Sequence, residues 1–150
     1  MPDRKFIVFL ILTLSLISIP EIYSKSFRDN DPEKSMRNVL DNQVKAWNNG
    51  DMEQYMNGYW KSDSLRFIGK NGIKYGWQNT LNNYKKSYPD KATMGVLKFD
   101  ILSVELLSND KGFVIGKWEI KQEKGVINGI FSLLFKEIKG NWVIICDHTS

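Results

Sequence analysis

Apolar residues are densest in the last third of the chain, from Gly95 to Ser150. Runs rich in Val, Ile, Phe and Trp alternate there with short polar turns, which is typical of consecutive β-hairpins. The pattern therefore predicts four antiparallel strands in a row. In one-letter code the strands are GVLKFDILSVELL, GFVIGKWEIKQ, INGIFSLLFKEI and NWVIICDHTS, separated by SNDKG, EKG and KGN.

The residues before this sheet begin with helical periodicity. Asp31 followed by Pro32 is a typical N-cap and first helical residue, and the Asn-Asn-Gly sequence ending at Gly50 is a typical helix stop. A short second helix is predicted to start at the Asp51 cap and to end near Gly58. The first helix has an apolar stripe made of Met36, Val39, Leu40, Val44 and Trp47.

A hairpin and a third helix separate these helices from the long strands. Residues 65–69 form a predicted strand, residues 70–72 a turn, and residues 73–76 the returning strand. The third helix is predicted over residues 77–88 and ends before Pro89, and a loop continues to Met94. Two helices, a hairpin, a helix and four strands make an α+β fold, with the sheet covering the N-terminal helices.

The extreme N-terminus has the pattern of a secretory signal peptide. A short basic start precedes 14 mostly apolar residues, Phe6 to Ile19, and Pro20 and small residues follow. A membrane-spanning helix needs about 20 apolar residues, so cleavage is favoured over a stable span. We therefore expect residues 1–24 to be removed, after Ser24 or Ser26, and the protein to be periplasmic or secreted. The folded domain is predicted over residues 31–150.

Composition narrows the function classes. The chain has 150 residues, 42% of them hydrophobic, which suits one domain with a substantial core. Its net charge of +4 comes from dispersed lysines and arginines, so we predict no nucleic-acid partner. One His and one Cys cannot form a zinc site alone, and no glycine-rich phosphate loop is present. We therefore predict no metal and no cofactor.

An ordered set of short motifs carries a family resemblance. It comprises Trp47-Asn-Asn-Gly-Asp51 with Glu53 and Tyr55, Gly69 and Gly72, Tyr84, Tyr88-Pro89, Gly116-Lys117-Trp118, and Gly140-Asn-Trp142-Val-Ile-Ile-Cys-Asp-His148-Thr-Ser150. With this order the chain resembles the nuclear transport factor 2-like superfamily, which has a cystatin-like cone fold. The narrower resemblance is to its SnoaL-like branch and to the family called domain of unknown function 4440. It implies a curved sheet around a long helix, with a pocket at the open end of the cone.

The resemblance also bears on catalysis. Steroid isomerases of this fold use a Tyr on the first helix and an Asp on the first strand. Those positions are occupied here by Gln43 and Phe67, and neither can act as a general base. Whether the protein is an enzyme at all stays open, and these two residues argue against the isomerase chemistry.

Strand alternation sorts the candidate pocket residues. Lys117 and Glu119 share a strand face with Phe113 and Ile115, and resemblance to the calcium/calmodulin-dependent kinase II association domain suggests that this face points inward. By the same resemblance, the side chains of Leu133, Asp147 and Thr149 are expected to point inward. Strand alternation then places His148 on the outer face. Asp147 is the candidate catalytic residue, or else a structural carboxylate paired with Lys117 or a tyrosine hydroxyl. The candidate ligand contacts are Lys117, Glu119, Tyr55, Tyr59, Phe67, Phe131, Leu133 and Thr149.

Three functions remain open on this basis. The preferred one is an exported domain whose aromatic cavity binds a small apolar or partly anionic molecule, with Lys117 meeting the acidic group. The second is a SnoaL-like isomerase, cyclase or hydrolase that uses Asp147 as general base. The third is an interaction module that only dimerises. In each case we expect a homodimer through an apolar outer sheet face made of Trp118, Ile120, Ile130, Leu134, Trp142 and Ile144.

Overall fold

The computed structural model describes residues 31–150, and the predicted signal peptide lies outside them. No helix in this range is long and apolar enough to cross a membrane. The helices are α1 Pro32–Asn49, α2 Met52–Met56, α3 Trp77–Ser87 and α4 Lys91–Met94. The strands are β1 Arg66–Gly69, β2 Gly72–Tyr75, β3 Val96–Ser108, β4 Lys111–Gln122, β5 Gly125–Ile138 and β6 Asn141–Thr149. The predicted order of elements is confirmed, and α4 is a short helix where a loop was expected.

The helix ends follow from the predicted capping residues. The Asp31 side chain accepts a hydrogen bond from the Glu33 backbone N–H, 3.0 Å away, and starts α1. Gly50 ends α1 in the left-handed conformation, at φ 80°, which costs glycine little. The Asp51 carboxylate accepts from the Gln54 backbone N–H at 2.9 Å, so α2 begins at once. Only Gly50 and Asp51 therefore separate α1 from α2.

All six strands form one curved, unclosed sheet in the order β2-β1-β6-β5-β4-β3. The β3–β6 strands pair antiparallel, as predicted, but β1 pairs parallel with β6, so the sheet is mixed. The parallel pair is a feature of the sheet that the strand pattern did not predict. Hairpin turns force antiparallel pairing only between strands adjacent in sequence, whereas β1 reaches β6 from far away in the chain.

The helices lie against one face of the sheet, which we call the inner face; the opposite face is the outer face. On β4 the inner side chains belong to alternate residues from Val114 to Ile120. Met36 of α1 packs over Gly112, where an added Cβ would approach its sulfur to 2.4 Å. The Asn48 amide pairs with the backbone of Leu97 on β3, through contacts of 2.8 and 3.1 Å. These contacts fix α1 across the sheet.

A β-bulge in β6 determines which residues point inward. Leu134 pairs with Cys146 and Phe135 pairs with Ile144, so Ile145 has no partner opposite it. Ile144 and Asp147, three residues apart, therefore lie on the same inner face, with 0% and 5% of their surfaces exposed. Regular alternation would have placed them on opposite faces.

The outer face differs from the predicted dimer surface. Trp118, Ile120, Trp142 and Ile144 all lie on the inner face, and the last three are buried. Only Ile130 and Leu134 of the predicted set lie on the outer face. On β4 the alternate residues that point inward are the opposite set from the one expected. On β6 the bulge at Ile145 changes which residues point inward along the strand. The predicted set of dimer contacts is therefore wrong.

Candidate functional site

An inner cavity of about 130 Å³ lies between the helices and the inner face of the sheet. An apolar cavity of roughly 150 Å³ is enough to hold benzene, so the space suits a molecule with a single ring. Aromatic and aliphatic side chains form most of its wall. It is lined by Gln43, Trp47, Tyr55, Tyr59, Phe67, Tyr84, Tyr88, Leu97, Phe99, Trp118, Ile120, Phe131, Leu133, Asp147 and Thr149.

Most of the candidate residues converge on this cavity. Asp147 and six of the candidate ligand contacts line it, namely Tyr55, Tyr59, Phe67, Phe131, Leu133 and Thr149. Sheet register explains the convergence, because Asp147 stands directly opposite Leu133 on one neighbouring strand and Phe67 on the other. Whether these residues contact a ligand stays a prediction.

Lys117 and Glu119 do not line the inner cavity. Both are exposed on the outer face of β4, whereas Val114, Trp118 and Ile120 point inward. The expected inward orientation is wrong because two charged residues would have been desolvated without compensation. A signal was available in the sequence, since the alternate set from Val114 to Ile120 contains no charge and is the set that a core can accept.

Among residues 31–150, Asp147 is the only carboxylate that lines the cavity, and it is 5% exposed. The Tyr59 hydroxyl donates a hydrogen bond to Oδ2 at 2.7 Å. Oδ1 is buried and has no hydrogen-bond partner among residues 31–150. Burial raises the pKa of Asp147 from 3.8 to about 7, and the bond from Tyr59 offsets part of that rise. The carboxyl group therefore titrates near neutral pH rather than in the acidic range.

The tyrosines around Asp147 stay protonated. Burial, together with the charge of Asp147, raises the pKa of Tyr55 to about 12 and holds that of Tyr59 well above 10. The pKa of Tyr84 is also raised well above 10. Burial is the largest cause, and the neighbouring Tyr55 and Asp147 add to it. Neutral hydroxyl groups donate and accept hydrogen bonds, so this cluster provides polar atoms without a second charge.

The aromatic wall consists of rings in edge-on contact. Trp47 contacts Tyr55, Tyr84 and Tyr88 edge-on, with ring centroids 5.3, 6.1 and 4.8 Å apart. Its indole N–H donates to the Met94 carbonyl at 3.1 Å, which fixes the ring against α4. The position of Trp47 in the apolar stripe of the first helix indicates core packing, and only the fold shows that Trp47 and Tyr84 border a cavity.

A second unpartnered polar atom belongs to the wall. Trp118 Nε1 is buried and has no acceptor among the described residues. Trp118 pairs with Gly129 on β5, where an added Cβ would lie 2.8 Å from this nitrogen. The glycine therefore provides the space that the indole occupies. Sequence reasoning placed Trp118 on the outer face and so missed this residue.

The two steroid-isomerase positions are inside the same cavity. Gln43 is 2% exposed and donates from Nε2 to the Tyr55 carbonyl at 3.2 Å. The Phe67 ring meets the Tyr84 ring edge-on at 5.8 Å. An amide and a phenyl ring cannot take up a proton at neutral pH, so neither position can provide the general base. His148 is exposed on the outer face, opposite to Asp147, as predicted.

Known structures share this architecture. A protein of unknown function from Shewanella oneidensis, described as NTF-2 like, is 42% identical, with a TM-score of 0.78 over 79% of this chain and 98% of that chain. This chain belongs to the NTF2-like family. Neither a protein-family model nor a curated protein matches it. The narrower resemblance, to the SnoaL-like branch or to the domain of unknown function 4440 family, stays a prediction.

More distant NTF2-like structures agree in fold alone. A ketosteroid isomerase-like protein from Erwinia carotovora is 18% identical, with a TM-score of 0.62 over 81% of this chain and 96% of that one. A structure from Xanthomonas campestris, described as a calcium/calmodulin-dependent protein kinase II association domain, is 16% identical, with a TM-score of 0.59 over 76% of this chain and 83% of that one. The fold thus occurs in structures described in enzymatic and in assembly terms, and function must be argued from the site.

Proposed function

We propose that the inner cavity binds a small, largely apolar molecule, about the size of one ring, which donates a hydrogen bond to Asp147. The observation that carries this is the unpartnered Oδ1, held inside an aromatic wall. Leaving a buried polar atom unpaired costs roughly 1–3 kcal/mol, and a ligand donor recovers that cost. A mostly aromatic wall with a few polar groups, of which Asp147 is the one that can carry a charge, is the usual composition of a small-molecule site.

The chemistry of the wall restricts the polar group of the ligand. No Lys, Arg or His lines the inner cavity in residues 31–150, because Lys117 is on the outer face. An anionic group is therefore not matched at the cavity floor, where it would face Asp147. A neutral hydroxyl or a cationic donor is matched when the carboxylate is ionised.

Phenol and toluene test this proposal, since they differ by one hydroxyl in place of a methyl group. At pH 8, where Asp147 is mostly ionised, we expect wild-type protein to bind phenol at least about tenfold more tightly, as hydrogen bonds to a charged group contribute roughly 1.5–3 kcal/mol. Asp147→Leu should abolish the preference while still binding toluene. Shifts of the tyrosine ring signals in NMR titrations give both affinities. Equal binding of the two probes to wild-type protein, or no binding, would contradict the proposal.

Catalysis is the second candidate function, because one observation favours it. A carboxylate with a pKa near 7 and one free oxygen facing a cavity is suited to act as a general base. In a SnoaL-like isomerase, cyclase or hydrolase, Asp147 would remove a proton from carbon or water while Tyr59 donates to its other oxygen. Deuterium exchange beside the carbonyl of a small cyclic ketone would reveal this activity. Exchange that Asp147→Asn leaves unchanged would eliminate the assignment.

A homodimer through the outer face is compatible with either function. Phe113 and Leu134 stand directly opposite each other there, and Ile130 is 52% exposed on the same strand as Leu134. A second copy of the chain would cover these residues in a two-fold, self-complementary contact. Leu134→Lys should then halve the mass measured by light scattering. A wild-type monomer at micromolar concentration would contradict the dimer.

Export of the mature domain is also proposed, from the N-terminal pattern alone. Sequencing the N-terminus of protein recovered from the native host decides it. A start near Lys25 or Phe27 is expected, and an intact Met1 would rule it out.

A further inference from the structure

A second cavity, of about 210 Å³, adjoins the inner one between α3 and the β1–β2 hairpin. The two cavities share Phe67, Tyr84 and Tyr88 in their walls. Phe67 and Tyr84 are in edge-on contact at 5.8 Å, so side chains rather than backbone separate the two spaces. A ligand that occupies both spaces must therefore pass between these side chains. We call the second space the outer cavity.

The polar groups of the outer cavity are donors. Lys74 of β2 lies on its wall with Asn83 and Ser87 of α3, which are one helical turn apart on the same face. Lys74 forms no ion pair with any residue in the range 31–150. Thr80 is also present, but its hydroxyl already donates to the Gly76 carbonyl at 2.9 Å. An ammonium, an amide and a hydroxyl group around one space match an anionic oxygen acceptor.

Sheet register connects the two ends of this composite site. Lys74 stands directly opposite Phe67, and Phe67 stands directly opposite Asp147, on three adjacent strands. Directly paired residues share a sheet face, so these three side chains form a row. Two strand spacings put the backbones of Lys74 and Asp147 roughly 10 Å apart. The row has a buried acceptor at one end, an aromatic ring in the middle and an exposed cation at the other end.

We propose that the two cavities together bind an aryl-alkanoic acid with a hydrogen-bond donor on its ring. The ring occupies the inner cavity, its donor meets Asp147 Oδ1, and the acid tail passes Phe67 and Tyr84 to Lys74, Asn83 and Ser87. This assignment rests on the proposed function and adds the class of ligand and its orientation. It places the acidic group at Lys74, on the opposite side of the sheet from Lys117.

Three probes separate the two ends of the site. 3-(4-Hydroxyphenyl)propanoate has both groups, 3-(4-hydroxyphenyl)propan-1-ol lacks the acid, and 3-phenylpropanoate lacks the ring hydroxyl. Dissociation constants are measured at pH 8 and low salt. The ratio between the first and second probes gives the preference for the acid, and the ratio between the first and third gives the preference for the ring hydroxyl. Because Lys74 is exposed, we expect the acid preference to be about fivefold. In high salt, where an exposed ion pair is screened, the acid preference should decrease until the two probes bind almost equally.

Lys74→Met should remove the acid preference and leave the hydroxyl preference intact. Lys70→Met is the matched control, since Lys70 lies at the tip of the same hairpin and lines neither cavity; it should keep both preferences. An acid preference that is absent in wild-type protein, or that survives Lys74→Met, overturns this inference while the proposed function stands. A missing hydroxyl preference in wild-type protein overturns the proposed function, and the ligand class with it.

Discussion

The two faces of the long strands have opposite chemistry although they are built from alternate residues of the same segments. On β4 the inner face presents Val114, Trp118 and Ile120, and the outer face presents Lys117 and Glu119. The outer charges are hydrated and need no partner. Among residues 31–150, Asp147 is the one carboxyl group that lines the inner cavity, and it is desolvated and only half satisfied.

That contrast shows where a functional group can be recognised. Several charged residues on the outer face create no identifiable site, because water solvates each of them. A single acid on the inner face changes its own pKa and leaves a free hydrogen-bonding atom facing a cavity. Burial rather than residue type distinguishes Asp147 from Glu119.

Substituting asparagine on the inner and on the outer face of β4 should give the largest difference in stability among these predictions. Val114→Asn buries an unpartnered amide at a position with 0% exposure and should destabilise the domain by about 3 kcal/mol or more. Lys117→Asn, on the outer face, should change stability by no more than about 0.5 kcal/mol. Urea unfolding followed by tryptophan fluorescence compares them. Equal losses would mean that the assigned faces of β4 are wrong.

Replacing Asp147 should change how stability depends on pH. The folded-state pKa lies above the ordinary value, so the folded protein binds more protons between pH 4 and pH 7, and wild-type stability falls as pH rises through that range. The full loss approaches about 4 kcal/mol, at roughly 1.4 kcal/mol for each pKa unit. Asp147→Asn removes this slope and should be the more stable protein at pH 8.

A carboxylate paired with Lys117, one of the alternatives left open by the sequence, would give Asp147→Asn the opposite effect on stability, because the substitution would leave Lys117 without its counter-charge. Thermal unfolding of both proteins at pH 5 and pH 8 distinguishes the two accounts. A variant that is less stable than wild type at pH 8 would favour a paired, ionised Asp147.

Removing the one bond that Asp147 makes should have a smaller effect. Tyr59→Phe deletes the hydroxyl that donates to Oδ2 and should cost about 1–3 kcal/mol at pH 8, where the carboxylate is charged. The cost should decrease at pH 5, where Asp147 is neutral. Tyr88→Phe is the matched control, because Tyr88 lines the same cavity but its hydroxyl bonds to no side chain or backbone group in residues 31–150. Equal losses of stability in the two variants would contradict a specific contribution of the Tyr59–Asp147 hydrogen bond.

The elements of the fold could be predicted from the sequence because local chemistry determines them. Asp31, Gly50 and Asp51 specify helix ends through contacts within a few residues, and the order of helices and strands followed directly. The parallel pairing of β1 with β6 could not be predicted, because no local turn connects the two strands.

Only part of the candidate site could be predicted, because strand alternation is local whereas the choice of the covered face depends on the whole fold. Alternation groups residues that share a strand face but does not say which face is covered, so Lys117 and Glu119 were placed inside. The bulge at Ile145 interrupts the alternation of β6 and turns Ile144 and Asp147 the same way. Neither Lys74 nor Trp118 could be placed in a cavity wall before the strand register was known.

We propose that Asp147 is a desolvated carboxyl group in a ligand-binding cavity, and the titration of Asp147 itself tests this most directly. The carbon-13 chemical shift of the Asp147 carboxyl group, assigned by comparison with Asp147→Asn, should report a pKa of about 7 in the free protein. Phenol should lower that pKa, because a hydroxyl donor stabilises the ionised form. A pKa near the ordinary 3.8, unchanged by phenol, would contradict the account.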